Sequence, residues 1–303
     1  FKLINQSANQ HKAKRAKRNP SINHGVLATC LQDTCHQTII LISIDYLLFG
    51  FILFTGSAIG SFLNVCIHRM PLEQSIIHPP SYCPSCQTPI RPADNLPVIG
   101  WLLLAGKCRA CKANISIRYP LVELITGLAA LGSVWWLGYT VEALALFILF
   151  ALLLPATLID FDLQIIPNAI SYPGIIIGLA LSFVREDFGW QAGLLGAGIS
   201  AVALLAIRQL GTWAFGKEAM GLGDIKLVAL IGAFVGWQAA LISIFLGSIL
   251  GTLYNIPAMI HNAFSGKTIS EMKPIPFGPF LAGGGLLAAI LKKTGGVLDL
   301  LIY

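Results

Sequence analysis

The run VEALALFILFALLLPATLID, Val141–Asp160, decides the fold class, because it is almost unbroken apolar sequence that ends on a carboxylate. A helix that crosses the hydrocarbon core of a bilayer needs ~20 mostly apolar residues. Runs of similar length recur from about residue 46 to the C-terminal end, rich in Leu, Ala and Gly and parted by short polar loops. The buried strands of a soluble α/β protein are roughly four to eight residues long and do not fit them. Composition agrees. The 303 residues are 55% hydrophobic and 11% charged, with mean hydropathy +0.74, whereas a soluble domain carries roughly 25% charged residues.

The expectation is an all-α polytopic membrane protein of about eight transmembrane helices, near 46–67, 119–138, 141–159, 169–184, 190–207, 225–236, 238–258 and 279–291. The domain organisation expected is a poorly ordered basic extension over 1–45, a first transmembrane helix over 46–67, a cytoplasmic metal-binding region over 68–118, and a transmembrane catalytic domain over 119–303. Small residues at Gly193, Gly196, Gly198 and Ser200 suit close helix packing and carry no site.

The net charge of +6 is localised rather than spread over a face. Six of the 20 Lys and Arg are Lys2, Lys12, Lys14, Arg15, Lys17 and Arg18, in a polar, aperiodic segment with no other mark of a nucleic-acid-binding arm. Short loops on the cytoplasmic side carry an excess of Lys and Arg. With the 68–118 region cytoplasmic, alternation places 11 of the remaining cations on that side and three, Arg185, Lys292 and Lys293, on the other. Counting the N-terminal segment as well narrows the split to 11 against nine.

Cys83-Pro-Ser-Cys86 and Cys108-Arg-Ala-Cys111 form two Cys-x2-Cys pairs separated by 21 residues. Each pair offers two thiolates at the bite of a tetrahedral zinc, and four thiolates make a closed, structural site. Disulfides are the competing reading, and they are rare in the reducing cytoplasm to which the region is assigned. A Pro-rich insert of ~50 residues with few large apolar side chains needs such a staple. Cys30, Cys35 and Cys66 lack the spacing.

Carboxylates are scarce, so their places carry information. Asp160 closes the opening run, and Asp224 stands in Met220-Gly-Leu-Gly-Asp-Ile-Lys226 at the start of another apolar stretch. An ionisable residue at such a boundary needs a partner or a wet cavity. Two facing carboxylates on one side of the bilayer suit aspartyl proteolysis, one as general base on water and the other as acid, sharing a proton. Helix capping is the alternative for either residue, and by spacing Asp162 rivals Asp160. Gly221 and Gly223 clear space beside Asp224 for an approaching backbone.

From Gly60 to the last helix the residues resemble the prepilin peptidases of type IV pilus and type II secretion systems. GSFLNVCIHRMP (Gly60–Pro71), RPADNLPVIGWLLLAGKCRACKANISIRYPLVEL (Arg91–Leu124), Asp160 with Pro167-Asn168, MGLGDIK (Met220–Lys226) and PFGPFLA (Pro276–Ala282) stand in that family's order. The resemblance implies two activities on the cytoplasmic face of the bacterial inner membrane. They are cleavage of prepilin or pseudopilin leaders after Gly, and N-methylation of the new amino terminus with S-adenosylmethionine. It implies Asp160 and Asp224 as the catalytic pair, favouring Asp160 over Asp162, and it associates the tetracysteine region with methyl transfer. A metal-free, peptidase-only branch of the family exists, and the presence of all four cysteines favours both activities here. Gly100 stands before Trp101 where the family pattern has Ser, a small-for-small exchange expected to be harmless. Asn95, Arg118 and Glu123 are polar candidates for cofactor contact, with helix-end solvation or a local ion pair equally open. A transporter with a zinc-bound cap is the alternative from another class, and the clustering of acids at one face speaks against it. The partners expected are prepilins and membrane lipid, with no nucleic acid.

Overall fold

The computed structural model describes residues 24–186, 188–216, 220–264 and 276–294. Residues 1–23 of the basic extension lie outside the described residues. Nine helices are described: α1 His24–Arg69, α2 Ile99–Leu103, α3 Arg118–Leu137, α4 Val141–Leu163, α5 Asn168–Ser182, α6 Gly189–Phe215, α7 Leu222–Val235, α8 Trp237–Phe264 and α9 Gly278–Thr294. Among the described residues the only β pairing is two isolated antiparallel bridges, Tyr82 to Pro89 and Lys107 to Asn114. The chain divides into compact units 1–51 and 52–303, and every site described below lies in the second.

Five helices are long and apolar enough to cross a membrane: Asp45–Leu72, Arg118–Leu137, Val141–Leu163, Gly189–Ala214 and Trp237–Pro257. Two shorter apolar helices, Asn168–Ser182 and Gly278–Lys292, accompany them, and α7 is the eighth expected segment. The protein is a multi-pass membrane protein. α7 has 14 residues, ~21 Å at 1.5 Å per residue, which is short of the ~30 Å hydrocarbon core. Every residue of it from Leu227 to Val235 is buried, as a helix apolar on all sides must be. Its Leu227, Leu230 and Ile231 pack with Leu149, Leu153 and Ile159 of α4 and Leu281 of α9 in one core.

Small residues let α6 lie against α7. A Cβ on Gly196 would collide with the Gly232 carbonyl, and Ser200 donates from Oγ to the Val228 carbonyl at 3.2 Å. The expected stripe is therefore packing surface, except that Gly198 faces open space.

Helix ends explain where the segments depart from expectation. Thr140 starts α4, its side chain accepting from the Ala143 amide at 3.2 Å. The helix continues past the expected end at 159 until Gln164 turns left-handed (φ 58°) and donates to the Asp160 carbonyl at 2.8 Å. Pro167 then caps α5. Asp160 thus lies inside the last turn of α4, and Asp224 lies in the first turn of α7, which begins at Leu222 rather than 225.

Alternation of the spans puts the end of α4 and the starts of α7 and α9 on the face that carries residues 70–117. On the opposite face Arg185 pairs with Glu142 at 2.8 Å and donates to the Phe234 carbonyl at 2.6 Å, while Lys292 donates to the Val235 carbonyl at 2.8 Å. Two cations thereby satisfy the last carbonyls of α7, the end at which its dipole is negative.

The 70–117 region is held by few, specific contacts. Arg109 grips Asp94 through Nε at 2.8 Å, and that hydrogen bond holds the Asp94 carboxyl below the usual carboxylate range. The Trp101 indole donates to the Ile115 carbonyl at 3.1 Å. Gly100 is buried, and a Cβ there would run into the Asp94 carbonyl. With Gly at this position the backbone closes to where a side chain would need Asp94 to shift.

Candidate active site and metal centre

Asp160 is 5% exposed, and its Oδ2 accepts from the Gly278 amide at 2.9 Å. Gly278 opens α9, where the first amides have no partner within the helix. A Cβ on Gly278 would stand 2.6 Å from Asp160 Oδ2, so only glycine brings the amide so close. Asp224 stands beside Gly221, where a Cβ would lie 3.6 Å from its Oδ2. Ile166, in the loop after α4, joins these pieces. A Cβ on Gly223 would lie 3.1 Å from Ile166 Cβ, and one on Gly278 3.3 Å from its Cδ1. The loop after α4, the Gly-rich start of α7 and the start of α9 therefore meet at one place, carrying two carboxylates and open backbone.

Asp162 is engaged elsewhere. It is exposed, and its Oδ2 accepts from Arg118 Nη1 at 2.6 Å, while Arg118 Nη2 donates to the Leu158 carbonyl at 3.4 Å. Nearby, Lys226 donates to Asn168 Oδ1 at 2.7 Å and lies 5.1 Å from the centre of the Tyr172 ring, tying the start of α5 to α7. Like carboxylates held together in a partly dry place share a proton, which leaves one as a base and one as an acid.

The four cysteines come together. Their Sγ atoms all lie within 4.8 Å of one another, with Cys83 to Cys111 at 3.8 Å and Cys86 to Cys108 at 4.0 Å. Two equivalent knuckles present them. In the first, the Cys83 backbone amide donates to the Thr88 carbonyl at 3.0 Å and the Gln87 backbone amide to the Cys83 carbonyl at 2.8 Å; in the second, the Cys108 backbone amide donates to the Ala113 carbonyl at 2.8 Å and the Lys112 backbone amide to the Cys108 carbonyl at 3.1 Å. Gln87 and Lys112, each following the second cysteine of its pair, both take left-handed φ near 59°. Hydrogen bonding to Thr88 lowers the Cys86 thiol to about 6. The Ala113 amide favours a thiolate at Cys111, yet partial desolvation and the neighbouring thiols Cys86, Cys108 and Cys83 push it up to about 11. Four thiolates crowd one another unless a cation sits among them, and this donor set fits a tetrahedral soft or borderline metal ion.

The three polar candidates for cofactor contact sit in different settings. Asn95 ends an exposed 3-10 turn, Arg118 pairs with Asp162, and Glu123 is buried with its Oε2 accepting from the Val98 amide at 2.7 Å. Sequence reasoning missed the Gly278 amide, Ile166 and the Arg118–Asp162 pair. The Gly-Pro step at Gly278-Pro279 was the available signal for the first, since Pro is suited to the first turn of a helix. Nothing local marked the other two.

Comparison with known proteins places the four cysteines, Asp160 and Asp224 within matched regions, with Gly278 beyond them. Residues 54–137 match the model of the bacterial peptidase A24 N-terminal domain, and residues 146–256 match that of the type IV leader peptidase family. A prepilin leader peptidase/N-methyltransferase of Myxococcus xanthus is 37% identical over 76% of this chain and 69% of its own length. One from Stutzerimonas stutzeri is 37% identical over 78% and 88%, and one from Neisseria gonorrhoeae 35% identical over 76% and 86%. No solved structure matches the chain.

Proposed function

The chain belongs to the type IV leader peptidase family, and on that premise we propose that it removes the leader of type IV prepilins or pseudopilins and N-methylates the residue so exposed. The site of action is the cytoplasmic face of the bacterial inner membrane. The observation that supports the peptidase reading is the Gly278 amide on Asp160, with Ile166 lying against both Gly278 and Gly223, the residue before Asp224.

Asp160 and Asp224 are the catalytic carboxylates. The ionised member takes a proton from water as its oxygen bonds to the carbonyl carbon of the scissile peptide, and the protonated member donates to the carbonyl oxygen. The carbon–nitrogen bond then breaks, and the departing amine takes up a proton from the pair. The Gly278 amide keeps Asp160 Oδ2 in place, leaving its other oxygen for water. Gly221 and Gly223 leave room for an extended peptide beside Asp224. Asp162, bound to Arg118, has no part in the step.

Cys83, Cys86, Cys108 and Cys111 hold zinc as a structural ion that fixes the 68–118 region. S-adenosylmethionine supplies the methyl group to the new α-amine.

Purified protein, a synthetic prepilin and isotope-labelled S-adenosylmethionine test both activities together. The expected product is a shortened pilin bearing one labelled methyl group on its first residue. Shortened but unlabelled pilin would remove the methyltransferase, and intact prepilin would remove the peptidase.

A further inference from the structure

The short helix α2 divides its five residues between two surroundings. Gly100 is buried against Asp94, and Trp101 turns inward, its indole donating to Ile115 and its ring filling the space a Cβ on Gly106 would take. Ile99, Leu102 and Leu103 stand at i, i+3 and i+4, one face of a helix, and are 49%, 62% and 76% exposed. Water is a poor neighbour for three large apolar side chains grouped on one face.

What covers this face follows from where α2 is tethered. Val98, directly before it, is held by Glu123, the sixth residue of α3 and thus ~7.5 Å along the span from Arg118 at 1.5 Å per residue. α1 packs against the same place, since a Cβ on Gly60 would stand 2.7 Å from Glu123 Cα. Val98 takes φ 60° and ψ −50°, a conformation a β-branched residue adopts only under constraint. The chain is therefore pulled down to the level of the first turns of a membrane span before it turns into α2. Exposed Arg91 and Lys107 flank the segment, placed for the anionic headgroups of the cytoplasmic leaflet.

We propose that Ile99, Leu102 and Leu103 are immersed in the cytoplasmic leaflet, so that α2 is an interfacial anchor pressing the tetracysteine region onto the lipid surface. The partner is the acyl layer of the bilayer. This rests on the spans and the Glu123 tether and is independent of the peptidase reading.

The test uses the wild-type full chain in bilayers of phosphatidylcholine and phosphatidylglycerol containing a phospholipid with a photoactivatable group in its acyl chain. After illumination, the labelled peptides are mapped by mass spectrometry. The anchor predicts label on residues 99–104 as well as on the spans, with none on the cysteine knuckle over 81–90. Label confined to the spans would overturn it. So would label on 99–104 that disappears when excess prepilin is added or when the protein concentration is raised, since the face would then belong to substrate or to a second copy. A normal cleavage rate in the same bilayers keeps the result separate from any failure of the peptidase.

Discussion

The amide of Gly278 donates to Oδ2 of Asp160 at 2.9 Å, joining residues 118 positions apart. Through this bond the start of α9 holds a carboxylate at the end of α4. The relationship depends on the missing side chain, because a Cβ at position 278 would lie 2.6 Å from the same oxygen.

Gly278→Ala should therefore displace Asp160. Small misplacement of a catalytic group costs on the order of 10²-fold in rate, and a loss of that size in prepilin cleavage is expected. Methylation of a synthetic peptide that already begins at the mature residue should be retained. Comparing the two rates in one preparation checks the outcome, since general misfolding would lower both.

Cys83→Ser and Cys108→Ser each break the four-thiolate set. Structural zinc sites are worth roughly 10–16 kcal/mol in apparent binding, so losing one of four ligands should leave little metal after purification. Elemental analysis should find about one zinc per wild-type chain and much less in either variant. A wild-type protein free of metal would remove the assignment.

Glu123 accepts from the Val98 amide at 2.7 Å in a buried setting. Glu123→Ala leaves that amide without its partner, at a cost of about 1–3 kcal/mol. Glu123→Gln keeps an acceptor oxygen and should cost less. Thermal unfolding in detergent measures the difference. Limited proteolysis should show the segment between Leu72 and Val98 cut sooner in the alanine variant.

Much of this was legible in the residues. The apolar runs located five helices long enough to cross a membrane, because span length is fixed by bilayer thickness, and three shorter apolar helices beside them. Cys-x2-Cys spacing located the tetracysteine cluster because a knuckle is built from adjacent residues. The choice between Asp160 and Asp162 was not legible from spacing. They stand two residues apart on one helix, and what separates them is the company of distant residues, Gly278 for one and Arg118 for the other. The Val98–Glu123 tether was hidden for the same reason. For Glu123 cofactor contact, helix-end solvation and an ion pair all stayed open, because its amide partner comes from the far side of a loop. The close approach of the Asp94 carbonyl to Gly100 was equally hidden, since it comes from a neighbouring turn.

The central claim is that Asp160 and Asp224, and not Asp162, perform the cleavage. The direct measurement is the rate of prepilin cleavage by purified Asp160→Asn, Asp224→Asn and Asp162→Asn proteins of equal monodispersity. Asp160→Asn and Asp224→Asn should each show no cleavage above background. Asp162→Asn, which gives up only an exposed ion pair worth about 0–1 kcal/mol, should cut at close to the wild-type rate. Cleavage by either of the first two, or its loss in Asp162→Asn alone, would contradict the account.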